Sequence, residues 1–164
     1  MNLYEPFQLF TQEECSSIIK QANTVTEKDG VAGIEVTPGI RNNKVYWIDF
    51  DRHGELHAHL QSIRGYEITW AQSPIQISRY QAGEYYHWHK DQIINKRTSA
   101  RLLTLTCTLQ TAPGGMVETK DHTFDLQQGE AVIIPATIDH RALPPISGER
   151  WALTVWGMGA NPNL

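Results

Sequence analysis

The sequence has no apolar run approaching the ~18 residues that a membrane-spanning helix requires. Its first residues, Met1-Asn2-Leu3-Tyr4-Glu5-Pro6, lack the basic start and apolar core of a secretory signal. Cysteine is scarce. Cys15 and Cys107 are too few for a disulfide framework, and neither sits in a CxxC metal pattern. They read as reduced, buried thiols, which places the protein in the cytoplasm. An excess of positive charge is also missing. Fourteen Lys and Arg against 18 Asp and Glu leave a net charge of −4, which argues against a general phosphate-binding surface. Neither nucleic acid nor a membrane is expected as a partner. No repeat, low-complexity segment or linker divides the chain, so residues 1–164 are expected to form one domain. A chain of that size buries about 70% of its unfolded surface without a disulfide or structural metal.

What is present changes along the chain. Residues 3–10 hold a short alternating segment suited to an edge strand. Thr11 and Glu14 then form a capping-box pattern, and Cys15, Ile18, Ile19 and Ala22 recur at helical spacing, predicting a helix over 12–27. Residues 28–43 are rich in turn signals around strand-like Ile34 to Val36, either a loose hairpin or a mobile loop. Residues 45–50 read as a strand. Residues 52–66 read as a second helix with Asp51 as N-cap and Leu56, His59, Leu60 and Ile63 on one face. His53 and His57 share a helix face and are expected to be solvated. From residue 74 the texture is β. Strands are expected at 75–80, 84–89, 101–110, 115–119, 122–126, 131–135, 138–143 and 150–157, separated by Gly, Pro and Asn turns. The fold class is therefore mainly β with N-terminal helices: a double-stranded β-helix, or jelly roll, backed by helices.

Tyr80 to Asp91 is the densest stretch, with His87, His89 and Asp91 beside several aromatics. Residues two apart on a strand face one side, so His89 and Asp91 can hold one ion. His140, after the apolar run 131–135, is the third candidate. Two His and one carboxylate on a β scaffold form the facial triad that leaves positions open for non-haem Fe(II) to meet O2. Ten residues on, Arg150 shares a strand face with Ala152, Thr154 and Trp156. A hairpin centred near Pro145 would set Arg150 across from His140. An inward Arg is costly unless it meets an anion, and its fork fits a carboxylate. 2-Oxoglutarate fits this arrangement, with its 2-oxo acid end on iron and its far carboxylate on Arg150. Thr154 and the Tyr80 hydroxyl are candidate partners of that carboxylate. Thr104, Thr106 and Thr108 alternate with Leu103, Leu105, Cys107 and Leu109, so the threonine face is expected to line the pocket and the other to pack under the helices. His87 shares parity with His89, which makes it either a fourth ligand or a residue at the pocket mouth. Trp88 and Tyr85 point the other way and are expected to pack. Tyr86 is either pocket or core, and Arg41, Asn43, Tyr46 and Trp47 are either surface, core or substrate groove.

Tyr80-x-x-Gly83-x-x-Tyr86-x-x-His89-x-Asp91, then Gly114-Gly115, then His140, Arg150 and Thr154, resembles the Fe(II)/2-oxoglutarate-dependent dioxygenases, prolyl 4-hydroxylase-like branch. The likeness covers residues 75–157. It implies iron ligands His89, Asp91 and His140 and 2-oxoglutarate contacts at Arg150, Tyr80 and Thr154. It implies Fe(II), 2-oxoglutarate and O2 as cofactor and co-substrates, with ascorbate as a reductant. The implied reaction hydroxylates a C–H bond of a peptide or protein substrate, usually at proline, and decarboxylates 2-oxoglutarate to succinate. Met116 departs from the pattern, which usually has an acidic or bulkier residue after the double glycine.

Two other readings stand beside this one. Nucleobase demethylation would need a second Arg six residues after Arg150, where Trp156 stands. A cupin-type binding or sensing protein would hold a metal through His87, His89 and His140 without turnover, and leaves Arg150 unexplained. Loops 28–43 and 92–100 are expected to set specificity, with 28–43 a candidate lid, but their composition names neither substrate nor oligomeric state.

Overall fold

The structure, a computed structural model, describes residues 1–31, 39–93 and 99–161. In chain order its elements are β1 (Phe7–Gln8), α1 (Gln12–Ala22), β2 (Lys28–Asp29), β3 (Lys44–Ile48), α2 (His53–Gln61), β4 (Trp70–Ala71), β5 (Ile75–Gln81), β6 (Tyr86–His89), β7 (Ser99–Gln110), β8 (Val117–Thr119), β9 (Thr123–Phe124), β10 (Glu130–Pro135), β11 (His140–Ala142) and β12 (Glu149–Ala160). The expected strand-like Ile34 to Val36, and much of both specificity loops, lie outside the described residues. Among the described residues no helix is long and apolar enough to cross a membrane.

The capping box forms as its residues dictate. The Thr11 hydroxyl accepts from the Glu14 amide at 3.2 Å, and the Glu14 carboxylate accepts from the Thr11 amide at 2.7 Å. The helix stops at Ala22, five residues short of the expectation. The β-branched run Thr24-Val25-Thr26 is poorly suited to a helix, and the Thr24 hydroxyl donates back to the Gln21 carbonyl at 2.7 Å. The second helix starts after Arg52, not Asp51, and has no side-chain cap. Arg52 instead ties the helices together, donating to Glu14 at 2.5 Å and Glu55 at 2.6 Å. His53 and His57 are half-buried rather than solvated. His53 Nε2 lies 3.1 Å from the Gln72 carbonyl, and His57 Nε2 is buried without a hydrogen-bond partner. The helix packs on β4, β12 and β7.

The strands form two sheets. The larger runs β1-β10-β7-β12-β5-β3-β2, with β4 also on β12, and the smaller runs β6-β11-β8-β9. This is the jelly roll expected from the spacing of short strands. Alternation along β7 and β12 then does the sorting. Leu103, Leu105, Cys107, Leu109, Leu153 and Val155 turn to the helices and join Cys15, Ile18, Leu56 and Leu60 in one core. Each such Leu, wholly buried, contributes about 1.5–3 kcal/mol. Thr104, Thr106, Ala152 and Thr154 turn the other way and line the pocket. A second, smaller core of Val117, Phe124, Leu126, Val132 and Ile134 closes part of the space toward the small sheet.

The expected hairpin between 138–143 and 150–157 does not form. β11 pairs with β6 and β8, whereas β12 pairs with β4, β5 and β7. Pro144 and Pro145 have no amide to continue a ladder, so residues 143–148 carry the chain from one sheet to the other. Arg150 therefore sits opposite Tyr80 of β5, not His140.

Cys15 and Cys107 are both fully buried, as expected for reduced thiols. Burial pushes the Cys15 thiol up to about 11 and that of Cys107 well above its usual value of 9.0. Since the thiolate is the reacting form, native protein at pH 8 is expected to give no fast reaction with a disulfide reagent. Two thiols should react once the chain is unfolded. A fast native thiol would show that the helix layer is loose.

A candidate metal centre and co-substrate pocket

His89 ends β6, Asp91 follows two residues later, and His140 opens β11 directly opposite His89. Their ligand atoms all lie within 4.8 Å of one another. His89 Nε2 and His140 Nε2 each stand 3.3 Å from an Asp91 carboxylate oxygen. The second nitrogen of each ring is already committed. His89 Nδ1 is 2.7 Å from the His87 carbonyl, and His140 Nδ1 is 3.0 Å from the Ile138 carbonyl. A carbonyl only accepts, so Nδ1 carries the proton and Nε2 keeps its lone pair for an ion. The Thr104 hydroxyl donates to Asp91 Oδ2 at 2.8 Å and fixes the carboxylate's rotation. Two imidazoles and one carboxylate on one side, with the pocket on the other, suit Fe(II).

Charge in the site is strongly coupled. Burial would raise the Asp91 carboxyl, but His140 and His89 hold it well below its usual 3.8. Burial would lower the His140 imidazole, but Asp91 holds it above 6.5, while for His89 burial wins and the shift is downward. Thr104→Val keeps the shape and removes the donor. It is expected to weaken Fe(II) or Mn(II) binding about 10–100-fold with little effect on the fold. Metal titration at fixed pH checks this, and unchanged affinity would make Thr104 merely a packing residue.

The double glycine has a defined job. A Cβ on Gly115 would lie 2.9 Å from Arg150 Cδ, so only glycine lets the backbone pass under this arginine. Arg150 is 2% exposed and enters from the large sheet, opposite the two histidines of the small one. One guanidinium nitrogen donates to the Thr108 hydroxyl at 3.1 Å, and its Nε has no partner. The Tyr80 ring is 5.9 Å from the Arg150 guanidinium, and Tyr80, Thr154 and Arg150 all line the pocket that reaches His89, Asp91 and His140. All six site residues expected from the sequence thus border one cavity. Thr108 as a partner of Arg150 and Thr104 as a partner of Asp91 had been placed only on a pocket-lining face. Their alternation in β7 was the signal, but not their partners.

His87 is neither ligand nor pocket lining. Between the pairs His140–His89 and Ala142–Tyr86, β6 holds one residue more than β11. This bulge reverses the alternation. Tyr86, rather than His87, joins His89 on the pocket side, with ring centroids 3.4 Å apart. His87 is exposed and stacks on Tyr85 at 4.2 Å. The three-histidine set that a cupin-type site would need is not assembled. Trp88 is 41% exposed rather than packed, with the Arg141 guanidinium over it at 4.7 Å. Of the groove candidates, Arg41 and Trp47 line the pocket, Asn43 is buried against Arg41, and Tyr46 lies in the helix-side core.

Comparison with known proteins agrees with this geometry. The profile of the 2OG-Fe(II) oxygenase superfamily matches residues 75–158. A PKHD-type hydroxylase of Shewanella sp. (strain ANA-3) is 32% identical over 176 aligned positions, covering 94% of this chain and 77% of that one. A PKHD-type hydroxylase of Synechococcus sp. (strain CC9605) is 29% identical over 102 residues, 57% of this chain, and the chain spans 46% of that relative's length. In fold, the chain is similar to the viral collagen prolyl hydroxylase of Paramecium Bursaria Chlorella virus-1 in its 2OG complex. The TM-score is 0.75 at 20% identity, over 94% of this chain and 95% of that one. The chain belongs to the 2OG-Fe(II) oxygenase superfamily, whose enzymes work with Fe(II), 2-oxoglutarate and O2.

Proposed function

We propose that residues 1–164 work as one oxygenase domain that hydroxylates a peptidyl residue, with proline as the target. In the balanced reaction one oxygen atom of O2 enters the substrate C–H bond. The other enters 2-oxoglutarate, which loses CO2 and leaves as succinate. His89, Asp91 and His140 would hold the metal, and Fe(II) supplies the O2 activation and oxidising power when bound.

The chain's own residues bind, orient and exclude. Thr104 and the two backbone carbonyls keep the three donors aimed at one point. The Arg150 fork receives the far carboxylate of 2-oxoglutarate in place of water, with Thr108 setting its rotation and Thr154 and Tyr80 beside it. Tyr86 stacks on His89 and keeps that ring from swinging out. Burial pushes the Tyr86 phenol up to about 12, so it stays a neutral hydrogen-bond donor at physiological pH. The observation that carries the reading is a buried, uncompensated arginine sharing one cavity with a three-donor face. A peptidyl proline target is favoured because the similar proteins are named hydroxylases and a collagen prolyl hydroxylase.

The test is incubation with Fe(II), 2-oxoglutarate, O2 and host lysate peptides, with succinate and +16 Da peptides measured together. Both should appear in the native protein and vanish in His89→Ala and Arg150→Ala. Succinate formation unchanged in both variants would overturn the assignment of these residues, and +16 Da only on free small molecules would overturn the peptidyl target.

A further inference from the structure

The pocket is cationic in an otherwise acidic chain. Asp91 is the single carboxylate among the described residues that line it, and it is engaged by His89 and His140. Around it stand Arg41, Lys90, Arg101, Arg141 and Arg150. Arg141 is matched by Glu118 at 2.7 Å, and Arg150 has a carboxylate assigned to it in 2-oxoglutarate. Arg41 and Arg101 have neither.

Arg41 is 8% exposed. Its Nε donates to Asn43 Oδ1 at 2.5 Å, one terminal nitrogen to the Val31 carbonyl at 3.1 Å, and the other to the Ser78 hydroxyl at 3.3 Å. Its flat face lies over the Tyr86 ring at 4.2 Å. Every one of these partners is neutral, and no ion pair to Arg41 occurs among the described residues. The placement is nevertheless built: a Cβ on Gly30 would overlap the Arg41 side chain, so glycine is required there for the arginine to lie where it does. Arg101 donates to the Gln72 side-chain oxygen at 3.1 Å and stacks on Trp156 at 3.7 Å, again without an ion-pair partner among the described residues. A guanidinium held out of water by neutral groups is costly, and an anion that arrives with the ligand removes that cost.

We propose that the substrate carries a carboxylate close to the carbon that is oxidised, and that Arg41, with Lys90 and Arg101 around it, recognises that group. This deepens the oxygenase reading above and rests on it. The carboxylate can belong to an Asp or Glu flanking the target residue in a peptide or to a free acyl amino acid, since both offer the same two oxygens to the guanidinium fork.

Anaerobic protein loaded with Fe(II) and 2-oxoglutarate is mixed with paired probes, and retention is read by ultrafiltration and mass spectrometry. One pair is proline-centred peptide pools flanked by Asp and Glu or by Asn and Gln. The other pair is N-acetylglutamate and N-acetylglutamine. The native protein is expected to retain the acid member of at least one pair about tenfold or more over its amide. Arg41→Gln should lose that preference, and Arg41→Lys should keep part of it, which a purely structural arginine would not require. Ser78→Asp places a carboxylate beside Arg41 and should cancel the preference even if Arg41→Gln fails to fold. The pair that shows the preference identifies the source of the carboxylate. Equal retention of acid and amide, retention of neither, or a preference that survives both Arg41→Gln and Ser78→Asp overturns the proposal. O2 is then admitted. Hydroxylation of acid and amide probes at equal rates leaves the hydroxylase standing without the anion site. An Arg41-dependent preference with neither succinate nor +16 Da leaves the anion site standing without the hydroxylase.

Discussion

Asp91→Ala is expected to lower turnover at saturating Fe(II) by about a thousandfold or more, equivalent to roughly 4 kcal/mol of lost transition-state stabilisation. Asp91 is the one anionic donor of the three, and both histidines converge on it. Without it two neutral imidazoles remain, a weak set for a catalytic divalent ion. Metal binding measured by calorimetry should fall with the rate, which separates a lost ligand from a lost proton carrier. In metal-free protein the same change has a second signature. The folded carboxyl is held below its ordinary 3.8. Its contribution to stability is therefore present above 3.8 and lost as pH falls from there toward the folded value. Asp91→Ala should lack that part of the acid unfolding curve. Native-like metal affinity in the variant would mean that the ion sits elsewhere.

Arg150→Met should separate ligand binding from folding. The side chain fills about the same space but carries no charge. Losing the partner of a buried carboxylate costs on the order of 3–5 kcal/mol, so 2-oxoglutarate affinity should fall by about two to four orders of magnitude. The ligand-free protein should be as stable as the native one or more stable by about 1–4 kcal/mol, because a buried guanidinium that donates to the Thr108 hydroxyl and pairs with no carboxylate among the described residues is exchanged for an apolar chain. 2-Oxoglutarate at about a hundred times the native Kd should add about 2.7 kcal/mol to the native protein and no more than about 0.4 kcal/mol to the variant. Thermal melts with and without ligand read all three quantities. A variant that melts early without ligand would show that Arg150 holds the sheets together rather than awaiting an anion.

Both results concern residues that were legible in the sequence, and the reason is chemical. His89, His140 and Arg150 in strands, and Asp91 just past the end of β6, are costly to bury unless something holds them, and their spacing can be read without knowledge of the neighbouring strands. Alternation sorted Leu105 from Thr106 and Leu153 from Thr154. What failed was everything set by pairing between strands. The bulge in β6 turned His87 outward and Tyr86 inward, and nothing in residues 84–89 marks an extra residue. The turn at Pro144-Pro145 looked like a hairpin but joins two sheets. The bonds Thr104 to Asp91 and Thr108 to Arg150 link positions 13 and 42 residues apart, which no local pattern specifies. His57 was read from its own helix as solvated, yet its Nε2 is buried.

The position of β12 has a consequence for how the protein is made. It follows every other described strand in the chain, yet lies in the middle of the large sheet, between β7 and β5. During synthesis β5 and β7 leave the ribosome with their inner edges bare, and stay so until the last strand arrives. Bare edges are templates for pairing with other chains. Until then, Arg150 is absent from a half-built molecule that already holds every candidate metal donor. Vectorial synthesis therefore delays the closing of the barrel and the completion of its chemistry to one event. A chaperone that shields strand edges on the ribosome would matter more for this topology than its size suggests.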